Sequence, residues 1–170
     1  FLYFENIGLV NWDLWMFYNE AARKSVLEFH QIPLWNPYYC GGNILLAHPE
    51  SQLFSLVFLF ILLFGSMIGI KIAIVIHFFF GLISMYLLAR HLRFSQLASY
   101  AAAFVYMLSA HFSIHTAAGH FSYLAIGFYP LAFLFFLKGL ISKKYLFFSA
   151  LSLAFAFFSA SIYELSFLLL

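Results

Sequence analysis

From residue 52 onward the sequence is almost continuously apolar, and this feature limits the possible folds more than any motif does. Hydrophobic residues make up 65% of the 170-residue chain and charged residues 8%, whereas soluble domains contain about 45–50% apolar and about 25% charged residues. A chain with so few polar groups cannot cover its own surface in water. We therefore predict an all-α integral membrane protein, because a helix pairs its backbone polar groups internally, as lipid requires.

Turn residues and charges divide the apolar region into segments of spanning length. Each predicted span is near the ~20 residues that cross ~30 Å of hydrocarbon, and the spans are 69–90, 97–116, 121–138 and 145–165. The run 53–64 is shorter and ends at Gly65, so we predict a re-entrant or interfacial segment there. The chain begins at Phe1 and ends within an apolar run, as expected of a fragment of a longer protein.

Residues 1–52 differ from the rest of the chain and are predicted to form an extracytoplasmic loop with interfacial helices. They contain every tryptophan and all the acidic residues except one, and tryptophan favours the headgroup level of a bilayer. Asn11 is placed to cap a helix from about Trp12 to Phe29. Pro33 prevents that helix from continuing.

Two clusters of basic residues follow the first and third predicted spans and orient the chain. Their members are Arg90, Arg93, Lys138, Lys143 and Lys144. Two spans separate the clusters, so both lie on one side, which the positive-inside rule makes cytoplasmic. The loop, the turn with His115 and His120, and Glu164 at the end of the last span then share the opposite side.

Asp13 is the first candidate site residue, and it stands between Trp12 and Trp15. A carboxylate at the membrane surface can act as a base toward an acceptor hydroxyl. It can also bind Mg²⁺ or Mn²⁺, which prefer oxygen ligands. The alternative interpretation is an acid at a helix N-terminus, where negative charge stabilises the positive end of the helix dipole.

His48 and Glu50 form a second polar cluster directly before the apolar region. Pro49 lies between them and restricts the backbone, so the two side chains are held in a limited geometry. We predict that they contact a phosphate-bearing substrate and that Glu50 is a second metal ligand. Alternatively, both residues belong to the solvated edge of a membrane helix.

Further ionisable residues lie near the ends of the predicted spans. His120 follows Gly119 at a turn and is a candidate donor to an anionic substrate group. His111 and His115 are four residues apart, which places them on one helix face, but they lack the glutamate of zinc-protease motifs. Glu164 lies either at the edge of a substrate cleft or at the membrane surface. Ionisable residues at membrane depth are costly, which favours a functional interpretation.

A longer motif relates these residues to a known group of proteins. The chain reads PLWNPYYCGG over 33–42 and AHPES over 47–51, with Asp13 some twenty residues upstream. This pattern resembles bacterial polytopic membrane proteins of the YfhO-like type, within the GT-C glycosyltransferase-like class. A weaker likeness continues at 109–111, 119–121 and 130–131.

The resemblance implies a GT-C-like helical bundle in the bacterial inner (plasma) membrane, with an extracytoplasmic cleft that faces a lipid-linked sugar. It implies a glycosyltransferase that moves a sugar from a polyprenyl-phosphate donor to a lipid, glycan or protein acceptor. Asp13 matches the loop acid of that class. The alternative is a non-catalytic lipid or polysaccharide transporter or an assembly scaffold, which aromatic loops and membrane acids also suit. A net charge of +2 is too small to indicate a nucleic-acid partner.

Cys40 is the only cysteine of the chain and provides a test of the predicted orientation. We expect a membrane-impermeant maleimide to label Cys40 in intact cells, because the loop is predicted to lie outside the cytoplasm. Labelling only after lysis, with Cys40 reactive in detergent, would show that 53–64 crosses the membrane. That result would contradict a shared face for the acids and the histidines.

Overall fold

The computed structural model of the chain describes residues 12–46, 48 and 52–159, with Trp12 and Asp13 described by their backbone alone. These residues are mostly helical, in the order α1 Trp12–Leu27, α2 Leu56–His91, α3 Gln96–Met107, α4 Ala110–Ala118, a 3₁₀ helix Phe121–Phe128, α5 Tyr129–Gly139 and α6 Lys144–Ser159. Two short strands, β1 Trp35–Asn36 and β2 Asn43–Ile44, form an antiparallel hairpin between α1 and α2.

Helix α1 confirms the helix predicted from about Trp12 to Phe29, although it ends two residues earlier, at Leu27. Its buried residues include Trp15, Asn19 and Ala22, which recur at helical spacing and form one face. The side-chain amide of Asn19 donates a hydrogen bond to the backbone carbonyl of Trp15 at 2.9 Å, so this polar group has a partner within the buried face. Because this face is buried, α1 packs against the rest of the molecule.

The hairpin that follows α1 depends on close packing between a glycine and a tryptophan. Gly42 lies so near the Trp35 indole that any added Cβ would overlap the ring. The strand register pairs Trp35 with Ile44 across the turn. The chain then returns to Leu45, which is buried in the core.

Helix α2 is interrupted at Gly65, whose φ of 80° and ψ of 162° are not helical and lie in a region that is essentially restricted to glycine. We call 56–64 the short arm and 66–91 the long arm. A Cβ on Gly69 would lie 2.7 Å from the Cα of Ile61, eight positions earlier. Eight residues of straight helix span about 12 Å, so the short arm folds back against the start of the long arm.

The short arm by itself is too short to cross a membrane. An arm of about nine residues is about 13 Å long, less than half of a ~30 Å hydrocarbon layer. It runs antiparallel to the first turns of the long arm and joins the long arm at Gly65. The depth of the short arm in a membrane stays a prediction.

Three helical segments are long and apolar enough to cross a membrane, by length and composition, as expected of a membrane protein: Leu56–His91, Gln96–Ala118 and Phe121–Gly139. They contain the first three predicted spans. Because the short arm of the first segment folds back, only the long arm of that segment, about 39 Å in length, is long enough to cross. Helix α6 is apolar but shorter, and the predicted span 145–165 continues past the described residues.

The second and third of these segments are not the uninterrupted α-helices that the sequence predicts. α3 ends at Met107 and α4 begins at Ala110, and the Ser109 hydroxyl at this break donates to the carbonyl of Tyr106 at 2.9 Å. The Tyr106 hydroxyl in turn donates to the carbonyl of Ile126, in the 3₁₀ helix, at 2.9 Å. Membrane helices tolerate such irregular backbone where neighbouring groups satisfy it.

The core joins the loop to the helical bundle. One cluster of buried apolar side chains contains Trp15, Ala22, Leu45, Val57, Phe58, Ile61, Ile70, Ala73, Ile74, Met107, Phe112, Phe121 and Leu124. Where the long arm crosses the 3₁₀ helix, a Cβ on Gly127 would lie 3.2 Å from the His77 carbonyl oxygen. Small residues at such crossings let membrane helices approach closely.

The fold-back predicts that Gly69 does not tolerate a larger side chain. Gly69→Val is expected to lower the unfolding free energy by about 1–3 kcal/mol, because the new side chain overlaps the Ile61 backbone. Ala101→Val is the matched control, since Ala101 is exposed in α3. Unfolding in mixed micelles measures both variants, and equal stabilities would contradict the close packing of the two arms.

Candidate functional site

The loop helix and the histidine turn adjoin at one end of the bundle. The rings of Trp15, in α1, and Phe121 lie 6.0 Å apart in an edge-to-face arrangement. Both residues are buried, and Phe121 directly follows His120. The loop helix and the histidine turn therefore lie against each other on one face of the molecule. The side of a membrane to which this face belongs stays a prediction.

The end of α6 reaches the segment that precedes α2. The Gln52 side-chain amide donates to the carbonyl of Ser159 at 2.8 Å, in a buried contact between residues 107 positions apart. Gln52 follows Glu50 by two residues, and Ser159 precedes Glu164 by five. Glu50 and Glu164 themselves lie outside the described residues. The contact therefore joins the segment before α2 to the end of α6 and does not place the two acids.

A cleft lies between α1 and the segment that leads into α2, and it is lined by Trp15, Tyr18, Asn19, Leu45, His48, Gln52 and Leu53. The space between these residues, open solvent included, is about 260 Å³, and its enclosed part has room for about one water molecule. The described lining combines aromatic rings, amides and an imidazole, without carboxylates or ammonium groups. A few polar groups among apolar and aromatic walls are typical of small-molecule sites.

Gln52 carries a polar atom that the described residues leave unsatisfied. Its side chain is 3% exposed, and its Oε1 has no hydrogen-bond partner among the described residues. Leaving a buried acceptor without a donor costs about 1–3 kcal/mol. A water molecule in the enclosed part of the cleft would satisfy this oxygen.

His48 forms the side of the cleft that faces α1. Its ring lies 4.9 Å from the Tyr18 ring, at an interplanar angle of 32°. The Tyr18 hydroxyl accepts a hydrogen bond from Asn43, in β2, at 3.2 Å. Contacts from the hairpin and from His48 therefore hold Tyr18 in the wall of the cleft.

Asp13 lies in the first turn of α1, two residues before Trp15. This position agrees with the interpretation of an acid that stabilises the helix N-terminus. Two residues are just over half a helical turn, and residues at that spacing do not face the same side of an α-helix, so this position does not by itself support a base or metal ligand in the cleft. The Asp13 side chain lies outside the described atoms, so both roles stay predictions.

Sequence reasoning missed Glu20, whose carboxylate holds α1 against α2 by a hydrogen bond near the reversal at Gly65. The Ser66 hydroxyl donates to Glu20 Oε2 at 2.5 Å, and Arg23 donates to Glu20 Oε1 at 3.0 Å. Ser66 directly follows Gly65, so this contact ties the loop helix to the point where the chain reverses. The two partners are 46 positions apart, and no local pattern connects them.

A histidine cluster occupies the turn between α4 and the 3₁₀ helix. The Nδ1 atoms of His115 and His120 are 3.1 Å apart. The His115 ring stacks on Tyr123, with centroids 3.6 Å apart and planes 6° apart. The predicted neighbours His111 and His115 do share a face, with ring centroids 4.7 Å apart. Within the described part of the chain, no three His, Cys, Asp or Glu side chains are arranged to bind a metal ion.

Comparison of the chain with protein-family models, curated proteins and solved structures returned no match. The YfhO-like resemblance therefore stays a prediction, based on the motif between residues 33 and 51. The functional conclusion rests on the geometry of the cleft and of the residues around it.

The contact between Glu20 and Ser66 predicts thermodynamic coupling between α1 and α2. In a double-mutant cycle with Glu20→Gln and Ser66→Ala, we expect a coupling energy of about 1 kcal/mol, since the bond involves a charged acceptor but is only partly buried. The control cycle pairs Glu20→Gln with Arg23→Ala, whose partly exposed ion pair contributes about 0–1 kcal/mol. Unfolding in mixed micelles gives each value, and additive effects of Glu20→Gln and Ser66→Ala would contradict the fastening role.

Proposed function

We propose that the chain is part of a membrane glycosyltransferase of GT-C type, which transfers a sugar from a polyprenyl-phosphate donor to an extracytoplasmic lipid, glycan or protein acceptor. The observation that carries this proposal is the cleft at the junction of the loop helix and the bundle. A lipid-linked sugar keeps its tail in the bilayer and its head at the surface. A protein that acts on it needs a polar cleft at the ends of its spanning helices.

The chemistry of the cleft supports a neutral, hydroxyl-rich ligand. Aromatic rings such as that of Tyr18 combine apolar area with a polar atom, and the apolar C–H face of a sugar ring packs on such surfaces. Asn19 and Gln52 carry amides, which can both donate to and accept from hydroxyl groups. The enclosed part has room for about one water molecule, so a sugar would occupy the open mouth and contact Gln52 through that water.

In this proposal Asp13 is the general base. The acceptor oxygen forms a bond to the anomeric carbon of the sugar, the bond from that carbon to the donor phosphate breaks, and Asp13 takes the acceptor proton. His48 and His120 orient the departing phosphate, and Glu164 contacts the substrate near the end of the last span. The polyprenyl phosphate leaves with the electron pair of the broken bond.

A divalent cation such as Mg²⁺ or Mn²⁺ would neutralise charge on the phosphate as it leaves. Asp13 and Glu50 are the residues that would bind it, because such cations prefer carboxylate oxygens. Both side chains lie outside the described atoms. The proton transfer assigned to Asp13 does not depend on the cation.

The second candidate is a non-catalytic lipid or polysaccharide transporter or an assembly scaffold. The specific observation that favours it is the interrupted backbone at Ser109 and along Phe121–Phe128, since discontinuous membrane helices form substrate sites in transporters. In that case the same cleft would bind the head group, and no glycosidic bond would form or break.

Asp13→Asn tests the catalytic proposal in the full-length protein reconstituted in liposomes. With polyprenyl-phosphate donors of glucose, mannose or N-acetylglucosamine and an envelope extract as acceptor, we expect transfer to fall by about 10²–10³-fold, because the amide cannot accept the proton. Glu28→Gln is the control and should transfer normally, since Glu28 is an exposed acid just after α1.

Two outcomes would contradict the proposal. Normal transfer by Asp13→Asn would remove Asp13 from the chemistry. Donor binding by the unmodified protein without release of polyprenyl phosphate would instead support the transporter. Equal melting temperatures of the variants would show that changes in rate do not reflect unfolding.

A further inference from the structure

We propose that His115 and His120 form a binding site for a divalent transition-metal ion of the Zn²⁺ class, with their Nδ1 atoms as ligands. These atoms are 3.1 Å apart, and both residues are half-buried at the turn between α4 and the 3₁₀ helix. This site differs from the cation site predicted at Asp13 and Glu50. Imidazole nitrogens suit zinc, copper and nickel, whereas carboxylate oxygens suit magnesium and manganese.

The distance between the two nitrogens fits a shared cation. Zinc lies about 2.0–2.1 Å from a histidine nitrogen, so two such ligands on a tetrahedral ion are about 3.3 Å apart. In a square arrangement the same bond lengths place them about 2.9 Å apart. The separation in this protein, 3.1 Å, lies between the two values.

The protonation of the pair allows two states. A neutral imidazole has one protonated and one bare nitrogen. If both Nδ1 atoms are bare, their lone pairs repel each other, and a cation bound to both nitrogens, to one side of the line that joins them, removes the repulsion. If one is protonated, the pair is a simple hydrogen bond, which is the competing state that the experiment must separate.

The surrounding structure holds the two rings in place. Gly119 has a φ of 84° at the end of α4, a left-handed conformation that favours glycine, and it turns the chain so that His120 faces His115. The backbone N–H of His120 donates to the carbonyl of His115 at 2.9 Å. Tyr123 stacks on the His115 ring and fixes its plane, as neighbouring groups do for ligands in metal sites.

The proposed site is open. In the described residues no third His, Cys, Asp or Glu completes the coordination, so the remaining positions are left for water or an anionic ligand. Open positions characterise catalytic rather than structural zinc sites. His111 contacts the His115 ring from the preceding helical turn but is exposed, and we do not assign it as a ligand. Metal binding here does not depend on sugar transfer.

Co²⁺ titration of the tag-free, full-length protein in detergent, after treatment with a chelator, tests the site. The visible absorption of Co²⁺ reports nitrogen coordination, and Zn²⁺ should compete for the same site. We expect His115→Gln and His120→Gln each to weaken binding by at least about tenfold. The controls His30→Gln and His91→Gln change exposed histidines elsewhere and should bind normally.

The thermal stability of the same proteins separates loss of the site from loss of the fold. Zn²⁺ should raise the melting temperature of the unmodified protein but not that of His115→Gln or His120→Gln. Equal Co²⁺ binding by all variants would overturn the proposal. Absence of binding together with an NMR signal for one proton shared by the two Nδ1 atoms would identify the hydrogen-bonded pair and overturn it as well.

Discussion

The reversal of α2 at Gly65 is the constraint on which the rest of the structure depends. As a straight helix, the 36 residues of α2 would extend about 54 Å, and the short arm would pack against nothing in the long arm. Because Gly65 adopts a conformation closed to other residues, the arms pack together with Gly69 against Ile61. The reversal also presents Ser66 to Glu20, so the position of the loop helix follows from it.

The candidate cleft is a consequence of this arrangement. Once α1 is held on the fold-back, Trp15 meets Phe121 at the histidine turn, and the segment with His48 closes against Tyr18. Gln52 then reaches Ser159 at the end of α6. Three parts of the chain that are distant in sequence thus meet at one end of the bundle.

The sequence predicted part of the candidate site and missed part of it, for a physical reason. His48 and His120 were identifiable because ionisable residues stand out beside apolar segments, and of the two His48 lines the cleft. Glu20 and Gln52 were missed because their partners lie 46 and 107 positions away. A residue whose role comes from a distant contact leaves no local signal in composition or spacing.

The sequence by itself indicated a helical membrane protein. A chain that is 65% hydrophobic needs lipid around much of its surface, and a helix pairs its own backbone polar groups, as lipid requires. The sequence also determined α1 and the approximate spans, which depend on local residues and segment length. Only the tertiary structure decided that the short arm folds back, that two spanning segments are interrupted, and that His115 faces His120. These features arise from packing and hydrogen bonds between segments, whose energies depend on neighbours that the linear order does not specify.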